Sequence, residues 1–181
     1  VGMKKFMLFL GISCLLLLLI SIGISSVCIV SAGEGVIVTE FGKIVTSHKK
    51  PGLYFKSPYP IQAVNRFDLR MQFFKTEFIQ MTTKDEKNIA AQMYVCWEID
   101  DVVKFFQAVI ESKRAEVKIR DLVNSQMGAA LGKHRMNQLF STEAKDIKID
   151  IIESLIQENA NQKAKEDYGI RILRLGFTRL S

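Results

Sequence analysis

Apolar and polar positions are distributed very unevenly along this chain, and that unevenness predicts its elements. Between Lys5 and Glu34 there is no Asp, Glu, Lys, Arg or His, and residues 15–20 form an unbroken aliphatic run. Residues 6–32 make up 27 residues. As a helix they would extend about 40 Å, whereas about 20 residues suffice to cross the roughly 30 Å of bilayer hydrocarbon. The expectation is an uncleaved transmembrane anchor over residues 6–32, preceded by a tail of residues 1–5. Lys4, Lys5 and the small residues Val30, Ser31 and Ala32 also suit a secretory signal, but its apolar region is only about 7–15 residues long. Cys14 and Cys28 are expected as membrane-buried small residues, and Ser21 and Ser25 as serines tolerated towards the outer end of the span. The lysine pair abuts one side of the span and Glu34 the other, which favours a cytoplasmic N-terminus and a domain outside.

Past the apolar segment the pattern changes to strand periodicity. Residues 35–41 are rich in β-branched side chains and predict a strand, with a turn at Gly42 and Lys43. Pro51 and Gly52 suit the two central positions of a type II turn. Residues 67–73 alternate, with Phe67, Leu69, Met71 and Phe73 on one face. Residues 78–83 and 89–99 flank the charged tip 84–88 as a long hairpin, and Ile89, Ala91, Met93, Val95, Trp97 and Ile99 share one face. The period then lengthens. Asp100 is the expected N-cap of a helix burying Val102, Phe105, Phe106, Val109 and Ile110. Ser112 is the expected cap of a second helix, with Ala115, Ile119, Leu122, Val123, Met127, Ala130 and Leu131 on its apolar face and Gly132 at its end. A third follows Ser141, with Ile147, Ile151, Ile152, Leu155 and Ile156 inward and Gly169 as its C′ residue. Residues 170–180 predict a last strand, and the phase slip between Ile172 and Leu173 predicts a bulge or a strand covered on both faces. Strands first, helices later and a returning strand predict an α+β fold.

Composition refines this picture in two respects. A chain of 181 residues accommodates one domain or two small ones. Its 48% hydrophobic content is concentrated in the N-terminal segment, and 42 of the 44 charged residues lie beyond residue 32, leaving that part a net charge of +4. So mild an excess does not imply nucleic acid. Basic residues such as Lys113, Arg114, Lys118 and Arg120 also interleave with Glu111, Glu116 and Asp121, as on a solvated helix face.

Candidate chemistry is sparse. His48 and His134 have no cysteine cluster nearby, so no zinc pattern of ordinary spacing exists. Cys96 is the only thiol outside the apolar segment, and on a strand beside Trp97 it reads as a packing residue. Ser141 and Lys145 are four apart, as in a Ser–Lys dyad, but Ser141 is better explained as a cap. No Gly-x-Ser-x-Gly elbow, Walker A loop or Gly-x-Gly-x-x-Gly fingerprint occurs. No catalytic, cofactor-binding or metal residue is assigned, and the chain is expected not to be an enzyme.

The order of these features resembles the SPFH/Band 7 (prohibitin and stomatin-like) superfamily, and within it the HflC-like branch. The resemblance is carried by the anchor followed by Gly33, Glu34, Gly35, Val36, Ile37, Val38, Thr39, Glu40, Phe41, Gly42 and Lys43. It continues through Pro51, Gly52, Leu53, Tyr54, Phe55, Lys56, Ser57 and Pro58, then Phe67, Asp68, Leu69 and Arg70, the hairpin up to Trp97, Glu98, Ile99 and Asp100, and Tyr168, Gly169 and Ile170. It implies an SPFH/Band 7 domain over residues 33–181, strand-rich over 33–100 and helical with a final strand over 101–181. It further implies a single-pass scaffold in the plasma (inner) membrane, its domain on the outer or periplasmic side. Such a scaffold packs against like domains, forms large ring or cage assemblies with an HflK-like partner and modulates a membrane AAA protease of the FtsH type. Neither cofactor nor catalytic residue is implied. A stomatin-like membrane organiser without a protease partner and a membrane peptidase are the alternatives. Family members continue into a long charged coiled-coil helix, whereas this sequence ends at Ser181, as a piece of a longer chain or as a short form.

Overall fold

The structure is a computed structural model that describes residues 11–13, 15–17, 23, 25–58, 60–139 and 149–180. The chain forms two compact units that divide between Asp68 and Leu69.

In the first unit residues 11–13, 15–17, 23 and 25 are helical. No helix among the described residues is long and apolar enough to cross a membrane. Cys14 and Ser21 lie outside the described residues. The expectation of one apolar helix to residue 32 is corrected at its end, because Val27–Val30 is a strand, β1. Its β-branched Val27, Ile29 and Val30 favour extended backbone. It pairs antiparallel with β4 (Gly52–Phe55), and Cys28 and Val30 face a protein core rather than lipid.

That core is closed by β2 (Glu34–Glu40), the centre of a second sheet between β3 (Lys43–His48) and β5 (Gln62–Asp68). Val36 and Val38 of β2 pack with Cys28 and Val30, flanked by Tyr54 and Val64. Two turns differ from expectation. The β2–β3 connection is Phe41 and Gly42, both at positive φ (47° and 84°), the geometry of a tight two-residue hairpin. Gly52 has no left-handed φ and starts β4 opposite Val30, so Pro51 and Gly52 do not form a type II turn.

The expected continuous strand over 67–73 is also broken. β5 ends at Asp68 and β6 (Gln72–Lys75) belongs to the second unit. The phase changes across the break: Phe67 and Phe74 are buried, whereas Met71 and Phe73 are exposed.

The second unit is built on β8 (Asn88–Ile99). Its residues Ile89, Ala91, Met93, Val95, Trp97 and Ile99 are all buried, as the alternation predicts. β6 and β7 (Ile79–Thr82) pair with one edge of β8, and β9 (Ile170–Leu180) with the other, all antiparallel. Helix α1 (Val102–Ala108) is capped by Asp101 rather than Asp100: its carboxylate accepts from the backbone N–H of Val103 and Lys104 at 3.0 and 3.2 Å. Val102, Phe105 and Val109 are buried, but α1 stops before Ile110, which is exposed at a φ of 68°.

Helix α2 (Ser112–Leu131) includes Ser112 as its first residue, with Glu111 in the cap position. It buries the expected face, except that Leu122 is half-buried. Helix α3 (Ile149–Tyr168) buries Ile152, Ile156, Ala160 and Ala164, one residue every four. The expected Ile151 and Leu155 instead face outward; Ser141, Lys145 and Ile147 lie outside the described residues. Helix α3 packs along β9 and against α1 and α2. Its polar side chains also close the outer edge of β9. Asn161 accepts from the N–H of Ile172, Gln157 donates to the carbonyl of Leu173, and Glu153 accepts from the N–H of Phe177. Antiparallel strands with helices gathered over one sheet make this an α+β fold.

Candidate functional site

Chemistry-bearing side chains do not converge among the described residues. His48 stacks on Tyr54 with ring centroids 3.8 Å apart, and the Tyr54 hydroxyl donates to the Lys50 carbonyl at 3.0 Å. His134 lies in the second unit with Nδ1 2.8 Å from the Ala130 carbonyl of α2. Cys96 is half-buried on β8, between Phe73 and Arg174 by register. Among the described residues no group of three or more His, Cys, Asp or Glu is placed to hold a metal ion.

A carboxylate with a perturbed titration occupies the β7–β8 hairpin tip. Asp85 accepts from the Thr83 hydroxyl at 2.7 Å and from the Met136 backbone N–H at 3.0 Å. The Thr83 bond above all, aided by the Met136 amide and the Lys87 ammonium, holds its carboxyl below the ordinary 3.8. The Lys84 N–H meanwhile donates to the His134 carbonyl at 2.9 Å. Together these bonds tie the hairpin tip to the segment after α2, so Asp85 acts as a structural clasp.

The surface features concentrate at one end of the first unit. Alternation in β1 and β4 turns Cys28, Val30 and Tyr54 inward, and therefore turns Val27, Ile29, Leu53 and Phe55 outward. The register sets Val27 opposite Phe55 and Ile29 opposite Leu53, giving one apolar patch in which Phe55 is 82% exposed. The patch adjoins the apolar N-terminal segment through Lys56. Its ammonium donates to the Ser25 carbonyl at 2.8 Å and its backbone N–H to Ser26 at 2.9 Å. A lysine suits carbonyls at the end of a helical stretch, where the backbone dipoles leave partial negative charge.

A chain of amides extends the same end. The Ser57 N–H donates to Gln62 Oε1 at 2.8 Å, and Gln62 Nε2 donates to Glu40 at 3.0 Å. Beside the paired Glu40 and Gln62 stand Phe41, 85% exposed on its hairpin tip, and the exposed Ile61. An open hollow of about 470 Å³ lies there among Glu40, Phe41, Lys43, Ile44 and Val45. Alternation could have revealed the outward residues of β1 and β4, had residues 27–30 been recognised as a strand.

This arrangement supplies a fastened apolar surface. Residues 28–181 match the SPFH domain / Band 7 family. Protein HflC of Buchnera aphidicola subsp. Acyrthosiphon pisum is 26% identical over 167 residues, covering 88% of this chain and 52% of that protein. Modulator of FtsH protease HflC of Escherichia coli K12 is 24% identical over 150 residues, covering 78% of this chain and 44% of its own. Protein HflC of Vibrio parahaemolyticus is 25% identical over 190 residues, covering 87% and 58%. The chain spans about half the length of the curated relatives it matches. With antiparallel sheets and sheet-bound helices in place, and the family match running from β1 to the C-terminus, the chain belongs to the SPFH domain / Band 7 family.

Proposed function

We propose that this chain is a membrane-anchored, HflC-like scaffold that associates with an HflK-like partner and modulates a membrane AAA protease of the FtsH type. The observation that carries the reading is the family match over residues 28–181, together with similarity to proteins named modulators of FtsH protease. Its action is binding and restriction of access, not catalysis.

The surface at the end of the apolar segment supports the membrane part. With β1 taking residues 27–30, residues 6–25 are 20 residues, about 30 Å as a helix and a match to the hydrocarbon thickness. Ile29, Leu53 and Phe55 then meet the headgroup layer, where burying such side chains is worth about 1.5–3 kcal/mol each. Lys56 keeps its charge at the interface while its stem lies along apolar surface. The N-terminus is cytoplasmic and the two units lie on the outer side of the plasma (inner) membrane.

The test is a reconstituted degradation assay with an HflK-like partner and an FtsH-type protease in liposomes. Adding the chain slows turnover of a membrane-embedded substrate several-fold and leaves a soluble substrate unaffected. Equal rates with and without the chain on both substrates refute the proposal, and casein cleavage by the chain alone favours a peptidase. Orientation is tested with Lys84→Cys at the exposed hairpin tip: a thiol reagent that cannot cross the membrane labels it in intact cells. Labelling only in broken cells overturns the outside placement.

A further inference from the structure

The two edges of the second unit's sheet are finished differently. Side chains of α3 close the edge of β9, whereas β7 pairs with β8 on one side and, among the described residues, with no strand on the other. The Thr83 N–H donates to the Lys87 carbonyl at 2.9 Å, so Thr83 bonds towards β8. Backbone groups along an antiparallel strand alternate in direction. The N–H and C=O of Gln80 and Thr82 therefore point away from β8, and both residues are exposed. Unpaired backbone along an edge is a template for another strand unless proline or charge blocks it, and β7 contains neither.

Helix α2 runs beside this edge in the same direction. The Arg120 guanidinium lies 3.6 Å from Glu77, a Cβ on Gly128 would lie 3.8 Å from Met81 Sδ, and His134, just past the helix, accepts from the Lys84 N–H at 2.9 Å. Arg120, Asn124 and Gly128 are a half-buried stripe at four-residue spacing. Gly128 has no side chain, which leaves room beside Met81. Arg120 Nε and Asn124 Oδ1 are shielded from water and have no hydrogen-bond partner among the described residues. Buried polar atoms of a native fold are nearly all paired, so this donor and acceptor mark a flank where a further group belongs.

Charge differs between the two ends of the edge. Beyond Thr82 stand Lys84, Lys87, Lys133 and Arg135, all exposed. Of Asp85 and Glu86 beside them, Asp85 is already committed to Thr83 and Met136. At the other end Glu77 and Phe78 are exposed.

We propose that the β7 edge and the flank of α2 bind an extended segment of a partner protein, which adds a strand antiparallel to β7. The outward donors and acceptors of Gln80 and Thr82 are matched by extended backbone, which supplies affinity, while alternate side chains supply specificity. Residues of the segment opposite Gln80 and Thr82 exchange main-chain bonds with them and point their side chains away from α2. Those opposite the half-buried Ile79 and Met81 point towards the α2 stripe, where small β-branched side chains fit beside Gly128. Acidic residues at the segment's N-terminal end meet the lysines past Thr82. The inference goes beyond the protease reading and does not depend on it.

The probe is the fluorescent peptide Asp-Glu-Thr-Val-Thr-Val-Thr, titrated with the full chain in mild detergent and read by anisotropy. Binding is saturable, and several-fold weaker for a peptide with both acids moved to the C-terminal end. N-methylation of the threonines opposite Gln80 and Thr82 removes the bonding N–H groups and abolishes binding. N-methylation of the two valines, whose N–H groups face away from β7, leaves affinity within about twofold. Gln80→Pro removes an outward N–H without touching the β7–β8 ladder and weakens binding about tenfold or more. Gly128→Leu keeps the helix, fills the flank and causes a similar loss. Lys84→Glu with Lys133→Glu weakens the acidic peptide and instead favours Lys-Lys-Thr-Val-Thr-Val-Thr.

Absence of saturable binding, equal effects of the two methylation patterns, Gln80→Pro or Gly128→Leu binding like the wild type, or an unchanged charge preference overturns the inference. If Gln80→Pro perturbs the fold, seen as accelerated exchange at the Thr83 amide, Gly128→Leu and the methylated peptides still decide it. A fall in native mass caused by Gln80→Pro would assign the edge to a second copy of the chain and likewise overturn it. Peptide binding by a chain that leaves the protease unaffected refutes the modulator reading alone. Modulation by a chain that binds no peptide refutes only this inference.

Discussion

Replacing Gly169 with alanine tests the junction on which the second unit turns. Gly169 follows α3 at a φ of 65°, and its carbonyl accepts from the N–H of both Asp100 and Asp101, at 3.0 and 2.9 Å. Those are the residues that lead from β8 into α1. A Cβ on residue 169 would lie 2.6 Å from the Asp101 carbonyl oxygen, 2.8 Å from Lys104 Cβ and 3.1 Å from Asp101 Cβ. The left-handed backbone costs a non-glycine residue about 1–2 kcal/mol. Relieving the overlap costs about 1–3 kcal/mol more, because the Asp101 carbonyl is backbone and cannot swing aside. Gly169→Ala therefore destabilises the protein by about 2–5 kcal/mol in urea unfolding of the full chain in detergent. Gly128→Ala is the control. It is a helix-interior glycine whose added Cβ would meet only Met81 Sδ and Cε at 3.8 and 3.9 Å, ordinary contacts. That change stabilises by about 0.5–1 kcal/mol through helix propensity. A Gly169→Ala protein within about 0.5 kcal/mol of the wild type, the usual range for an inconsequential surface change, refutes the reasoning.

Three further outcomes are expected. Because the folded-state carboxyl of Asp85 titrates below its ordinary 3.8, its clasp to Met136 stabilises fully above that value and is lost as pH falls through the lower folded value. Hydrogen exchange at the Met136 amide should therefore accelerate only in acid below about that ordinary value, and Asp85→Asn should abolish this dependence. Asp101→Ala removes the bonds to Val103 and Lys104 and costs about 1 kcal/mol, measured by denaturation, whereas Asp101→Asn retains most of it. Asn161→Ala leaves the half-buried N–H of Ile172 without its side-chain acceptor, for a loss of about 1–3 kcal/mol and faster exchange at that amide.

The elements most legible in the sequence are those whose signal is local. β8 shows its buried face in six alternating positions because one side packs and the other does not. Gly169 is legible as a helix end, and the slip at Leu173 as a bulge, because each departs from a regular period. The end of the apolar segment is not legible. Val27, Cys28, Ile29 and Val30 have the same hydropathy whether they face lipid or a β-core, and only pairing with Gly52–Phe55 decides. The stripe of α3 is misassigned for a related reason: Ala160 and Ala164 are weak apolar signals, so Ile151 and Leu155 attract the assignment while facing outward. The apolar end of the first unit is hidden because Phe41, Leu53 and Phe55 resemble ordinary core residues until the strand register turns them outward.

The central claim is that this chain acts as an assembling membrane scaffold for a protease. It is tested most directly by extracting the tagged chain in mild detergent, measuring its native mass and identifying by mass spectrometry what co-purifies. The account predicts a large particle containing several copies of the chain, an HflK-like protein and an FtsH-type protease. A lone monomer or small oligomer with neither protein bound would contradict it.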